Sequence, residues 1–94
     1  MMSRYELLYI ISSDATEEKR EELIAKFRAY VENKGGKIEG VEKWGMRKLA
    51  YPINFKNEGF YVLMKMEMPN LEVDAMGKLL NITDGIIRHQ FARI

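Results

Sequence analysis

The chain has 94 residues, of which 47% are hydrophobic and 31% charged, and its formal net charge is +1. This length fits one domain, and the hydrophobic share excludes an intrinsically disordered chain, which would lack the apolar residues needed for a core. The chain contains no cysteine, which excludes disulfide scaffolds, thiolate metal sites and thiol catalysis and suits the reducing cytoplasm.

Two elements are predicted for the first third of the chain. Residues 4–11 (RYELLYII) form a short apolar run rich in tyrosine and isoleucine, which is typical of a β-strand. Residues 15–34 predict an amphipathic helix, which residues 12–14 or Thr16 can cap. Its apolar residues recur at helical spacing: Leu23, Ile24, Phe27, Tyr30 and Val31. Gly35-Gly36 indicates the helix end, because glycine tolerates the left-handed conformation.

The middle of the chain predicts a long, irregular strand over residues 37–53. Gly40 and Gly45 interrupt it and indicate bulges or a close backbone approach. Pro52 has no amide hydrogen to donate to a neighbouring strand, so this strand is expected at an edge of the sheet. Residues 54–59 (NFKNEG) are rich in turn formers and predict a hairpin loop.

The last third predicts two more strands around a second helix. Residues 60–67 (FYVLMKME) predict a strand, the helix spans about residues 71–80, and residues 86–93 (IIRHQFAR) predict the last strand. The order β-α-β-β-α-β is that of the ferredoxin-like split βαβ sandwich, an α+β fold. We expect a single domain over residues 1–94. Two helices should cover one face of a four-stranded antiparallel sheet, with the first and third strands at its centre.

One face of such a sheet carries no helices, and the alternation of side chains along each strand predicts which residues lie there. The set expected under the helices is Tyr5, Leu7, Tyr9, Ile11, Phe60, Val62, Met64, Met66, Ile87, His89 and Phe91. The open face then carries Leu8, Ile10, Tyr61 and Leu63, rimmed by Arg4, Lys65 and Arg88. A central apolar patch ringed by charge often marks a binding surface. The alternatives are the reverse assignment of the two faces and ordinary exposed hydrophobic surface.

Few residues suggest catalysis or metal binding. His89 is the only histidine and has no cysteine or second histidine to complete a zinc site, so a packed structural role is favoured. The glutamates of the first helix fit a solvated helix face better than a catalytic pair. Met64 and Met66 fit the core better than a soft metal site. The sequence has no phosphate-binding glycine loop and no nucleophile elbow, so no cofactor is expected.

Charge is unevenly distributed along the chain. Residues 14–32 contain six acidic and four basic residues, whereas residues 34–48 contain five basic and two acidic ones. Any RNA surface is therefore expected away from the first helix. Gly59-Phe60 is faintly similar to the RNP1 motif of RNA-recognition domains, but Val62 and Lys65 stand where that motif has stacking aromatics. If RNA is bound, phosphate contacts and shape are therefore expected to dominate.

The segment of residues 44–53 (WGMRKLAYPI) is the most specific in the chain. It resembles the W-G-x-R-x-L-A-Y-P-I signature of the bacterial small-subunit ribosomal protein S6 family. Residues 4–6 (RYE), 59–64 (GFYVLM), 67–69 (EMP) and 84–88 (DGIIR) are similar to other strand positions of that family. The resemblance covers about residues 3–93.

The resemblance implies the fold predicted above and a structural, non-catalytic role on the ribosome in the cytoplasm. It implies binding to the central domain of 16S ribosomal RNA as a pair with the eighteenth small-subunit protein. The positions expected to contact RNA are Arg4, Lys65, Arg88 and Arg93. The positions expected to contact the protein partner are Glu42, Lys43, Arg47 and Lys48 of the second strand and Leu8, Ile10, Tyr61 and Leu63 of the open face. A low net charge suits a chain that docks with a basic partner.

Two other functions are known on the same fold. An acylphosphatase-like enzyme would need a phosphate-cradling loop and a nearby arginine after the first strand. Residues 12–16 (SSDAT) have no glycine or arginine, and Asp14 would repel phosphate. A regulatory small-molecule module would instead bind a ligand at a dimer interface, and ligand-dependent melting without an effect on RNA binding would indicate it.

Overall fold

The computed structural model describes residues 2–53 and 56–94 and has the predicted order of elements. The strands are β1 (Met2–Ser12), β2 (Lys37–Ile53), β3 (Lys56–Pro69) and β4 (Ile86–Arg93). The helices are α1 (Glu17–Asn33) and α2 (Val73–Ile82), with a single 3-10 turn, Asn70–Glu72, before α2. The ferredoxin-like βαββαβ arrangement is thus confirmed.

The four strands form one antiparallel sheet in the order β2-β3-β1-β4. The prediction that the first and third strands are central is confirmed, as is the edge position of the strand that contains Pro52. β3 is longer than predicted at both ends, because it pairs with β1 from Met2 opposite Pro69 to Ser12 opposite Gly59 and with β2 at Lys48 opposite Glu58 and Ile53 opposite Lys56. Residues 56–59 therefore belong to the strand, and the rest of the predicted loop, residues 54 and 55, lies outside the described residues.

β2 is irregular where the glycines predicted it to be. Its register against β3 shifts between Ile38 and Gly40 and again between Lys43 and Gly45. Gly45 has a φ of +88°, which is strained for residues with a Cβ. Each shift inserts a residue without a partner and changes which side chains face the helices.

The ends of α1 are fixed by local hydrogen bonds. Of the residues predicted to cap the helix, Thr16 is the N-cap, and its Oγ1 accepts a hydrogen bond from the Lys19 N–H at 3.1 Å. At the other end Gly35 has a φ of +84° and the Gly36 N–H donates to the Val31 carbonyl at 2.8 Å. The bond from Gly36 satisfies a carbonyl that the helix leaves free, and the turn at Gly35 directs the chain into β2.

The core lies between the helices and one face of the sheet. Its fully buried side chains include the predicted Leu7, Tyr9, Ile11, Val62, Met64 and Met66, together with Phe27, Val31, Met68, Met76 and Leu80. The assignment of the two faces of β1 and β3 is therefore confirmed. In β4 the register shifts opposite Ile10 and Ile11. As a result Ile86 packs against the core, and the prediction that Ile87 does so is wrong: its Cδ1 lies near Ile10 and Gly59 on the open face.

The close approach at Gly59 provides a test of the packing on the open face. A Cβ at Gly59 would overlap Cγ2 of Ile10, so Gly59→Ala should lower the free energy of unfolding by about 1–3 kcal/mol through overpacking. At Gly40 an added Cβ meets nothing within 4 Å, and Gly40→Ala should change that free energy by less than about 0.5 kcal/mol. Urea unfolding followed by tryptophan fluorescence measures both, and equal losses would contradict the close approach.

Two buried tyrosines should respond differently to loss of the hydroxyl. The Tyr9 hydroxyl is buried and has no hydrogen-bond partner among the described residues. Burial, reinforced by the Glu21 carboxylate, raises the pKa of Tyr9. Tyr5 instead donates a hydrogen bond to Oδ1 of Asn70 at 3.0 Å. Tyr5→Phe should therefore cost about 0.5–1.5 kcal/mol of unfolding free energy, whereas Tyr9→Phe should cost nothing or stabilise the protein slightly. A larger loss for Tyr9→Phe in thermal unfolding would contradict this difference.

Candidate functional site

The predicted apolar residues come together on the open face of the sheet. Leu8 lies directly opposite Leu63, and Ile10 lies directly opposite Tyr61. Leu8, Tyr61 and Leu63 are half-buried, and Ile10 is only 7% exposed. This face is therefore apolar at its centre, but it is a shallow surface partly covered by its neighbours and not a broad exposed patch.

Trp44 covers part of this face. Its ring lies parallel to that of Tyr61, at an interplanar angle of 9° and a centroid distance of 6.5 Å. Its Nε1 donates a hydrogen bond to Oε1 of Glu42 at 3.3 Å, and the guanidinium carbon of Arg47 lies 5.1 Å from its ring centroid. Trp44 is still 37% exposed. Trp44 was not predicted as a site residue. The register shift between Lys43 and Gly45 determines which face of the sheet Trp44 lies on, and the sequence alone does not give the position of that shift.

Trp44 and the strands enclose a groove on the open face, which we call the sheet groove. Its volume is about 380 Å³. The residues that line it are Glu6, Leu8, Trp44, Leu63, Gln90 and Ala92. Glu6, Gln90 and Ala92 were not predicted as site residues, although the alternation of side chains in the sequence places all three on the open face.

Two of the four predicted RNA-contacting residues are held in ion pairs. Arg4 donates from Nε and Nη2 to the same carboxylate oxygen of Glu39, at 3.1 and 3.0 Å. Lys65 Nζ lies 3.2 Å from Oε2 of Glu42. The hydrogen bond from Lys65, and secondarily that from Trp44, lowers the pKa of the Glu42 carboxyl. All these groups are largely solvent-exposed, so the pairs are weak and can exchange with an incoming ligand.

Arg88 lies at the opposite end of the open face and contacts the β2–β3 hairpin. Its Nη1 donates a hydrogen bond to the Tyr51 hydroxyl, and its guanidinium carbon lies 5.7 Å from the Tyr51 ring centroid. Tyr51 is 54% exposed. Arg88 is opposite Ile10, so it faces the same side of the sheet as the apolar centre.

The predicted arginines do not form one cluster. Arg93 lies opposite Tyr5, which is buried under the helices, so the Arg93 side chain leaves the sheet on the helix side. Arg4 is on the open face beside this position, whereas Arg88 lies five positions further along β1, which is roughly 17 Å. The three arginines expected to contact RNA therefore occupy separate positions, and Arg88 alone lies at the hairpin end.

The predicted partner-contacting charges of β2 divide between the two faces. Glu42 and Arg47 are opposite Leu63 and Gly59 on the open side. Lys43 is opposite the core residue Val62, and its Nζ pairs with Oε2 of Glu21 on α1 at 2.6 Å. Lys48, one residue beyond Arg47 and opposite Glu58, also faces the helix side. A partner on the open face would therefore meet Glu42 and Arg47 before the two lysines.

The described residues provide no evident catalytic centre. His89 is half-buried, its ring lies 5.9 Å from that of Phe91, and burial lowers its pKa. The predicted inward position of His89 is thus confirmed. Within residues 2–53 and 56–94 no group of three or more histidine, aspartate or glutamate side chains could hold a metal ion. The same ranges contain no helix long and apolar enough to cross a membrane.

Comparisons with known proteins match the chain over almost its full length. The family model described as ribosomal protein S6 matches residues 4–93. The small ribosomal subunit protein bS6 of Alkaliphilus oremlandii is 43% identical over 93 residues, covering 99% of this chain and 98% of that protein. The bS6 protein of Caldanaerobacter subterraneus subsp. tengcongensis is 40% identical over 92 residues, covering 98% and 97% of the two chains.

A solved structure supports the same assignment. The crystal structure of 30S ribosomal protein S6 from Thermotoga maritima superposes with a TM-score of 0.93 at 34% sequence identity, covering 100% of this chain and 89% of that one. The sequence match and the superposition agree on the family that residues 44–53 had indicated. The chain belongs to the ribosomal protein S6 family.

Proposed function

We propose that this protein is a structural, non-catalytic constituent of the bacterial small ribosomal subunit that binds the central domain of 16S ribosomal RNA together with the eighteenth small-subunit protein. Membership of the ribosomal protein S6 family supports a place on the ribosome, and hence in the cytoplasm. The observation that carries the binding proposal is the open sheet face, with an apolar groove at one end and Arg88 at the other.

The two ends of this face suit different partners. Arg88 presents its guanidinium group beside the exposed Tyr51 ring, and guanidinium groups bind phosphate oxygens well. The sheet groove suits protein side chains because its floor is apolar. Arg4 and Lys65 join the RNA surface by exchanging their present carboxylates for phosphate. Arg93 contacts RNA that reaches the β4 edge from the helix side.

The low net charge supports joint binding. A chain with a net charge of +1 gains little from counterion release when it binds RNA alone. A basic protein partner seated on the open face would supply the missing positive charge and enlarge the surface offered to RNA. The isolated chain is accordingly expected to bind the RNA fragment more weakly than the pair.

The RNA half of the proposal predicts the behaviour of Arg88→Ala. Loss of one phosphate contact should weaken binding of the paired complex to a 16S central-domain fragment and lower the slope of log affinity against log salt by about one. Arg28→Ala is the matched control, because Arg28 is exposed on α1, away from the open face. Filter binding at several salt concentrations measures both variants. An unchanged affinity and slope would remove Arg88 from the RNA surface.

The protein half predicts the behaviour of the double variant Arg47→Gln and Lys48→Gln. Both residues are exposed, so the free energy of unfolding should change by no more than about 0.5 kcal/mol. Affinity for the eighteenth protein should fall, because Arg47 lies on the docking side over Trp44. The matched control replaces Lys26 and Arg28 of α1 with glutamine. Titration calorimetry compares the variants, and wild-type affinity for the β2 variant would contradict a docking role for this strand.

A further inference from the structure

We propose that the sheet groove receives an apolar side chain next to a basic one, presented by a protein segment whose basic residue pairs with Glu6. This inference rests on the proposed function, since it specifies what the protein partner must present to the open face. It goes further by naming the residues that recognise the partner and the chemistry they require.

The floor and wall of the groove favour an apolar side chain. Leu8 and Leu63 lie opposite each other across β1 and β3, and Ala92 lies opposite Glu6 on β4. The ring of Trp44 lies beside them and forms an aromatic wall of the groove. A volume of about 380 Å³ exceeds what one leucine or phenylalanine side chain fills, so there is room for a neighbouring side chain. Burial of such a side chain would remove the half-exposed floor from water.

The carboxylate of Glu6 offers a binding site for a cation at the groove. Four carboxylates reach this end of the open face, those of Glu6, Glu39, Glu42 and Glu67. Two bases, Arg4 and Lys65, are already paired with Glu39 and Glu42. Glu6 and Glu67 have no ion pair among the described residues, although Lys65 lies directly opposite Glu6 and Lys37 directly opposite Glu67. Of these two, only Glu6 lines the groove, where an arriving base would be partly shielded from water and more strongly attracted.

The same charges favour a protein segment over RNA at this position. An unpaired carboxylate beside an apolar floor would repel a phosphate group and offers no donor to it. An arginine or lysine of a protein chain satisfies Glu6, while its aliphatic stem can lie along apolar surface. The groove thus separates the protein-binding end of the open face from the end at which Arg88 lies.

The first experiment uses four capped dipeptide amides as probes of the groove alone. N-acetyl-leucyl-arginine amide is compared with leucyl-glutamine, glycyl-arginine and glycyl-glutamine analogues at millimolar concentrations. Trp44 is the only tryptophan of the chain and lines the groove, so its fluorescence and its indole NMR signal report binding directly. We expect the leucyl-arginine probe to bind at least about threefold more tightly than each analogue, because it alone satisfies both requirements. Equal responses, or none up to the solubility limit, would overturn the proposal.

The second experiment uses the eighteenth small-subunit protein and separates the groove from the wider docking role. Glu6→Gln should weaken binding at least about fivefold and reduce its salt dependence. Glu67→Gln is the matched control, because Glu67 is also unpaired among the described residues but lies outside the groove, and it should change affinity less than about twofold. Tight binding that Glu6→Gln does not weaken would overturn the proposal while leaving docking intact. If the wild type does not bind this protein, yet the leucyl-arginine probe binds as expected, the proposed partner is wrong and the groove takes its basic segment from another protein.

Discussion

The structure depends on the burial of β1 between two neighbouring strands. β1 pairs with β3 over its whole length on one side and with β4 on the other. Because side chains alternate, its odd-numbered positions from Tyr5 to Ile11 enter the core, and its even-numbered positions form the centre of the open face. The core and the open face are therefore two sides of one strand. A shift of β1 by one residue would exchange its core and open-face side chains.

The β2–β3 hairpin makes the edge of this regular sheet irregular. Alternation along the regular part of β2 sends neighbouring charges to different faces, Lys43 to Glu21 on α1 and Glu42 to Lys65 on the sheet. The second register shift in β2 places Trp44 over Tyr61. Bulges of this kind redirect side chains at a sheet edge and discourage pairing with other chains. Irregularity in β2 thus supplies both the wall of the groove and protection of the edge.

The sequence predicted the regular parts of the molecule and missed what depends on register. Alternation placed Leu8 and Leu63 on the open face, because β1 and β3 pair without a shift. It failed at Ile87, where β4 slips against β1, and it could not assign Trp44, because a bulge of unknown position precedes it. The family resemblance grouped Arg4, Arg88 and Arg93 as positions expected to contact RNA, whereas strand geometry places Arg88 roughly 17 Å along β1 from Arg93. Local pattern determines the face of a residue only where the register is regular.

Charge pairing within the open face reconciles a net charge of +1 with binding to a polyanion. Ion pairs such as Arg4–Glu39 hold exposed cations in place without making the free chain strongly basic. Such pairs cost little to break because both groups remain in contact with water. A basic partner that satisfies the carboxylates would leave these cations available to phosphate, so binding of the protein would increase binding of the RNA. The linkage is reciprocal, since whatever free energy the partner adds to RNA binding, RNA adds to partner binding. Carboxylates on the open face are therefore consistent with the proposed binding to RNA, because the paired acids would determine when the bases become available.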